Sequence, residues 1–422
     1  MAVFVTAAFL WGTNTLPLAV TGVLVMWLLP VSGALETSEV YRYFGSDALF
    51  FILGALVLAS PVMRSGLSSR VALVAVQKFG SEPRQMVFAL LLTPAFMAFF
   101  ISEHAVVAMV FPIVLELLKM YGAKPGDRLG TVLFLALAWG GIIGGTATLL
   151  GGARAPLALG VLQASTGRYI NFFTWLTATI PIVVLLLIAA YFILVRALPP
   201  SPPTPPPKEQ LRNRIASLGP ITKREIKTLA LMAAVIAGWI WGGEIWGLGA
   251  VALAGVVGAF ALGVADWGEV EEDVNWGVFL MYGSAIALAA ALQETGAASF
   301  LAGTLFGHIA TPISATAAVV VLAQLLTEAM SNAASVAVLM PIALASANVY
   351  DLAPEAVTLS VSVSSGLAFL LPVSTPAIAI IVGSGYVRPM QTIRYGLPLK
   401  ILATLMVFLA SVFYWPRIWP GG

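Results

Sequence analysis

Met330-Ser331-Asn332-Ala333-Ala334-Ser335-Val336-Ala337-Val338-Leu339-Met340-Pro341 governs the architecture of this 422-residue chain. An earlier segment, Ile101-Ser102-Glu103-His104-Ala105-Val106-Val107-Ala108-Met109-Val110-Phe111-Pro112, repeats it in altered form. In both, a serine and a polar partner precede a small apolar run, and a proline stands ten positions after the serine. A Ser/Thr-Gly pair lies upstream of each: Ser65-Gly66 before the first and Thr295-Gly296 before the second, with the glycine 36 and 35 positions ahead of the serine. Matched landmarks at near-constant spacing mean an internal duplication. In a chain this apolar, a duplication points to a transporter whose site lies between the repeats.

Composition sets the class. Hydrophobic residues make up 60% of the chain and charged ones 9%, so most of it cannot face water. Apolar runs of bilayer-spanning length recur throughout, among them Phe173–Val195, Trp246–Val264 and Trp276–Leu292. The net charge of +2 argues against a nucleic-acid partner. Cysteine is absent, which excludes disulfides, and the two histidines, His104 and His308, cannot build a multi-histidine zinc site. Met1–Trp11 is apolar without a basic leader and reads as a first helix.

Charge gives the topology. Residues 2–30 are interrupted around Gly12–Pro17, which predicts one tilted helix or a short helix followed by a longer one. The span Asp47–Val62 leads to Arg64, Arg70, Lys78 and Arg84, and short basic loops stay in the cytoplasm. Residues 85–118 are apolar, basic at both flanks, and carry Ser102, Glu103 and His104 at their middle. They read as a re-entrant hairpin, since non-helical backbone at that depth is tolerated only in protein or beside a wet cavity. The alternative is two complete helices with a tight outer turn, but each arm has only about 17 residues, the short end of the spanning range. Residues 130–163 hold six glycines within the thirteen positions Gly140–Gly152, which predicts a broken, unwound helix.

Residues 1–195 thus form a first repeat. Residues 196–227 read as a cytoplasmic linker, with stiff polyproline at Ser201–Pro207 followed by basic residues. Residues 228–422 form a second repeat, inverted. Its acidic loop Asp266–Asp273 lies inside, and its hairpin at 311–347 has outer flanks free of lysine and arginine. Its broken helix spans 357–387, interrupted at Leu371–Pro376, and Arg388, Arg394 and Lys400 lie inside. The expected fold is an all-α polytopic membrane protein of two inverted-topology repeats, each with a re-entrant helical hairpin and a broken transmembrane helix.

Hairpin tips from opposite faces, each beside a broken helix, bring polar clusters together near the midplane. Helix N-termini there offer N–H groups to anions, while free carbonyls and hydroxyls suit small hard cations. The expectation is an anion carrier coupled to a cation. Pro112 and Pro341 read as bending devices of the hairpins. Thr146 and Thr148 suit either backbone carbonyls or substrate. His308 and Glu294 read as solvated.

Leu16–Thr21 (LPLAVT), Gly283–Gly296 (GSAIALAAALQETG), Thr327–Pro341 (TEAMSNAASVAVLMP) and Leu367–Gly385 (LAFLLPVSTPAIAIIVGSG) resemble, in order, motifs of the divalent anion:sodium symporter family of dicarboxylate, citrate and sulfate carriers. The resemblance implies a homodimer in a prokaryotic inner membrane, working as an elevator, with Na⁺ as coupling ion and no other cofactor. It implies sodium ligands at Thr327, Met330, Asn332 and Ser374. It implies substrate contacts at Ser331, Asn332, Ala333, Thr375 and Pro376 in the second half, and at Ser102, Glu103, His104, Thr148, Gly152 and Arg154 in the first.

The chain departs from the family in places. Ala333 replaces a threonine, Glu103 an asparagine, His104 a threonine, and Gly151-Gly152-Ala153-Arg154-Ala155 the family's Gly-Thr-Pro-Pro-Asn loop. Arg154 is therefore expected to stand as a fixed cation where relatives bind the first sodium, with Glu103 as its partner and His104 free to donate or titrate. The structural alternative is a Glu–Arg pair closing a vestigial site. The favoured reading is a secondary transporter of small divalent anions, C4-dicarboxylates first. Alternatives are a sodium-independent exchanger, an arsenite-type carrier and a non-transporting sensor. No nucleophile or metal set accompanies Glu103 and His104, so an enzyme is not expected.

Overall fold

The computed structural model describes residues 1–79, 82–199 and 219–419, and among these the regular structure is helical, with no strand. Among the described residues six helices are long and apolar enough to cross a membrane: Asp47–Arg64, Phe172–Ala197, Trp276–Glu294, Pro312–Ala329, Asn332–Tyr350 and Pro389–Ile418. Helix starts follow local chemistry. Ser102, Asn171, Thr222, Thr311 and Ser331 each accept a backbone N–H as N-caps, and Thr222 with Glu225 closes a capping box. The polyproline Ser201–Pro207 and most of the linker lie outside the described residues.

The same order of elements occurs twice. In the first half Asp47–Arg64 and Leu67–Phe79 precede the pair Pro83–Met97 and Glu103–Met120, then the pair Arg128–Gly144 and Arg154–Thr166, then Phe172–Ala197. In the second half Trp276–Glu294 and Ala297–Phe306 precede Pro312–Ala329 and Asn332–Tyr350, then Pro354–Gly366 and Pro376–Gly383, then Pro389–Leu409. The halves also exchange helices. Leu18–Val31 packs along Trp276–Glu294, and Leu248–Ala261 along Asp47–Arg64. Both contacts are tight: a Cβ on Gly22 would meet Ser284 Oγ at 2.7 Å, and one on Gly54 would meet the Ala252 Cβ at 2.5 Å. The second hairpin arms cross over too, Asn332–Tyr350 onto Arg154–Thr166 and Glu103–Met120 onto Pro376–Gly383.

Contacts join distant loops in two groups. In one, Arg64 pairs with Asp273 at 2.7 Å and Arg70 with Glu225 at 2.6 Å, while Tyr386 Oη donates to the Ala123 carbonyl at 3.1 Å. In the other, Arg168 pairs with Glu355 at 3.1 Å, and Asp47 accepts the N–H of Leu248 and Gly249.

The N-terminal stretch takes the second of its two expected forms, a short helix Ala2–Thr13 followed by the longer Leu18–Val31, parted at Asn14 in the left-handed region (φ 51°). Other expectations need correction. Pro112 and Pro341 do not bend the hairpins: they lie inside the second arms, while the breaks fall at residues 98–102 and 330–331. Gly140, Gly141 and Gly144 are helical rather than unwound. Gly140 and Gly144 admit the backbone of the neighbouring arm, since a Cβ there would lie 2.3 Å from the Leu91 carbonyl oxygen and 2.2 Å from that of Ala95. The break itself is confined to residues 145–153. The acidic loop folds as the short helix Trp267–Asp273. Lys400 is not a cytoplasmic cation: it is 6% exposed and bonds to Glu328 at 3.0 Å.

Candidate functional site

Ser102 and Ser331 cap the two second arms, so Glu103 and Asn332 occupy the first helical position of each. The pairs Ser102/Ser331 and Glu103/Asn332 have the same separation, 229 positions, and Asn332 Nδ2 lies 3.5 Å from Glu103 Oε1. Equivalent residues of the two halves therefore meet where the breaks converge.

Glu103 is the centre of the first half-site. Its carboxylate is fully buried and accepts from Arg154 Nη1 at 3.1 Å and Thr375 Oγ1 at 3.4 Å, besides Asn332. Its N–H donates to the Gly151 carbonyl at 2.9 Å, tying the hairpin tip to the broken helix. A buried carboxylate requires such partners, because desolvating an unpaired charge is expensive. Arg154 opens the helix Arg154–Thr166 and is 4% exposed. Room for its guanidinium comes from Gly152 and Gly366, where a Cβ would fall 2.0 Å from Nη1 and 2.2 Å from Nε. Its Nη2 is buried without a partner among the described residues. His104 is 42% exposed, and its Nδ1 stands 3.6 Å from Glu103 Oε1, beyond hydrogen-bond length. Thr148 gives its hydroxyl to the Phe99 carbonyl at 2.9 Å and accepts from Leu150 N.

The second half-site is a cluster of oxygens. Thr327 Oγ1 lies 2.8 Å from Asn332 Oδ1 and 2.6 Å from the Ser365 carbonyl. The Asn332 amide has two orientations. Reversed, its nitrogen donates to the Ser365 and Ser374 carbonyls at 3.1 Å and to Thr327 Oγ1 at 2.8 Å. With Nδ2 instead toward the Glu103 carboxylate, Oδ1 joins those oxygens around one point. We favour the second orientation, because reversal turns Oδ1 toward a carboxylate. Thr327 Oγ1, Asn332 Oδ1 and the two carbonyls then fit a small hard cation such as sodium, which takes oxygen ligands and no protons. Met330 bridges the arms in extended conformation. Ser374 hydrogen-bonds the Leu371 carbonyl, and Thr375 caps the short helix that Pro376 begins. Ala333 is half-buried in the first turn.

Three participants escape sequence reasoning. The Ser365 carbonyl is backbone and leaves no trace in residue type. Glu328 accepts the N–H groups of Phe369, Leu370 and Leu371 at 3.0–3.2 Å, and Lys400 completes the set, bonding both Glu328 and the Leu367 carbonyl. An acid beside Thr327 in an apolar run is the signal that marks Glu328.

Known proteins place the chain. The model of the sodium:sulfate symporter transmembrane region matches residues 1–419. The sodium-dependent dicarboxylate transporter SdcS of Staphylococcus saprophyticus is 26% identical over 99% of this chain and 86% of its own length. SdcS of Staphylococcus aureus is 25% identical over the same shares. Among solved structures, MtrF of Neisseria gonorrhoeae superposes with a TM-score of 0.65 at 13% identity, covering 96% of each chain. The YdaH transporter of Alcanivorax borkumensis gives 0.55 at 15% identity, covering 87% of this chain and 84% of its own. The latter two likenesses concern the fold. With its apolar helices and a family match over nearly its whole length, the chain is a membrane protein of the divalent anion:sodium symporter family.

Proposed function

We propose that the protein is a secondary active transporter of small divalent anions, C4-dicarboxylates first among them, coupled to sodium through its second half-site. The observation carrying this reading is the ring of Thr327 Oγ1, Asn332 Oδ1 and the Ser365 and Ser374 carbonyls beside the point where the two tips meet. The relatives named as sodium-dependent dicarboxylate transporters support the substrate class and the ion. In this reading residues 1–195 and 228–422 are inverted repeats, the two helix–break–helix pairs are re-entrant hairpins, and the site moves as an elevator within a homodimer of the inner membrane. Thr375, Ser331 and the N-termini at residues 102–105 and 331–334 hold substrate oxygens, while Arg154 supplies a fixed positive charge in the first half.

A sodium-independent exchanger is the second reading, and the buried Glu103–Arg154 pair favours it. A permanent cation in the first half-site removes one reason to bind a sodium there. Labelled succinate uptake into proteoliposomes separates the two. Sodium-driven uptake into empty vesicles is the expected result. Uptake only into succinate-loaded vesicles, indifferent to sodium, would establish exchange, and no uptake of any divalent anion would overturn both. Within the first reading, Arg154→Gly should weaken uptake or change its sodium dependence; unchanged transport would remove the built-in cation.

A further inference from the structure

A cavity of about 200 Å³ opens on the outer side between the helices Pro312–Ala329 and Pro354–Gly366, lined by Thr316, Val357, Ser360, Ser411 and Asp351. Polar groups at its mouth are satisfied: Thr316 donates to Pro312 O, and the hydroxyls of Ser360 and Ser411 bond each other at 2.8 Å. Deeper along the two helices they are not. Gln324 is 2% exposed, and neither end of its amide has a partner among the described residues. The Ser364 hydroxyl, fully buried, has none either. The oxygen cluster itself comes next, with Thr327 three residues after Gln324 on one helix and the Ser365 carbonyl one residue after Ser364 on the other.

Helical geometry puts these groups in a row. Thr316 and Thr327 lie within roughly 20° of each other around their helix, Gln324 within about 60° of Thr327, and Ser360 within about 40° of Ser364. The rise from Thr316 to Thr327 is about 16 Å, half a hydrocarbon core. Ser362 is also unpartnered but, two residues from Ser360, turns to the other side of its helix. Buried amides and hydroxyls that lack protein partners hold water. Asp351, exposed in the left-handed region at the mouth, sets a negative charge where a cation would enter.

We propose that this seam is a hydrated path by which a sodium-sized cation reaches the Thr327/Asn332 cluster from the outer side, separate from the route of the larger anion. It rests on the sodium site assigned above. The absence of native cysteine makes a direct test available. Ser364→Cys and, separately, Gln324→Cys are exposed to silver ion from the outer side of sealed right-side-out vesicles in chloride-free buffer. Remaining free thiol is then titrated after denaturation. Silver, close to sodium in size, replaces the thiol proton.

The expected result is loss of free thiol at both positions, slowed by excess sodium, while Ser362→Cys, on the other side of the helix, keeps its thiol. Adding Val357→Phe at the cavity should protect Ser364→Cys. Intact thiols at both positions while an Asp351→Cys control is consumed would overturn the proposal, as would labelling indifferent to Val357→Phe. The readout does not depend on uptake. A seam that labels in a protein carrying no dicarboxylate would sink the substrate assignment alone. Sodium-driven uptake with an unreactive seam would sink the path alone.

Discussion

Glu103 decides the character of the first half-site. Where the second half presents a neutral amide, Asn332, the first presents a buried carboxylate met by Arg154, Asn332 and Thr375. Removing one partner of a buried ion pair leaves an uncompensated charge and costs about 3–5 kcal/mol, whereas replacing both by neutral groups of similar volume is far cheaper. Arg154→Met should therefore lower the thermal midpoint sharply, and adding Glu103→Gln should recover most of the loss. A double mutant no more stable than Arg154→Met would show that the pair is not what holds these residues. Gly366 tests the same contact from outside. A Cβ there would stand 2.2–2.5 Å from three guanidinium atoms, so Gly366→Ala should displace Arg154 and reproduce part of the Arg154→Met loss, and a neutral substitution would mean the guanidinium has room to yield.

At the level of elements, the second broken helix is an open segment held by an ion pair. Between Gly366 and Thr375 backbone groups lack helical partners, and Glu328 with Lys400 supplies several. Ser374 and Thr375 ride on this segment. Lys400→Met should lower the thermal midpoint and also shrink the upward shift that sodium produces, because it loosens the strand carrying the Ser374 carbonyl. A midpoint loss with the sodium shift intact would assign the pair to stability alone. Breaks of this kind are legible in sequence when polar residues interrupt apolar runs, as Ser331-Asn332 and Leu371–Pro376 do, and Glu103 with Arg154 is legible because two ions in apolar runs must pair. Other features are not. Gly140 and Gly144 serve close helix packing, and glycine that admits a backbone looks in sequence like glycine that unwinds one. Lys400 follows Arg388 and Arg394, so the charge rule counts it with them, and only the fold brings it to Glu328.

For the whole molecule, one end of the bundle fastens the two halves of the chain together. Arg64 bonds Asp273 and Glu272 and Ser60 bonds Asp273 at 2.6 Å, across the linker, while Arg70 bonds Glu225 at the linker's end. The Arg70 guanidinium holds the Glu225 carboxyl down to about 2, with the Thr222 capping bonds assisting against desolvation. Arg64 holds Asp273 below its usual range in the same way, helped by Ser60. A carboxylate depressed in the folded state contributes stability that is complete above its unfolded pKa and is lost as pH falls toward the folded one. The protein in detergent should therefore keep a flat thermal midpoint from pH 7 to about 5 and lose stability progressively below about pH 4. Glu225→Gln should be less stable near neutrality yet fall less steeply in acid, because the proton it would have taken up on unfolding is gone. Midpoints of wild type and variant that run parallel down to pH 3 would mean this latch does not couple the halves. The pair Arg168–Glu355 makes the contrast: its guanidinium is 44% exposed, so Arg168→Gln should lower the thermal midpoint less than Arg70→Gln does.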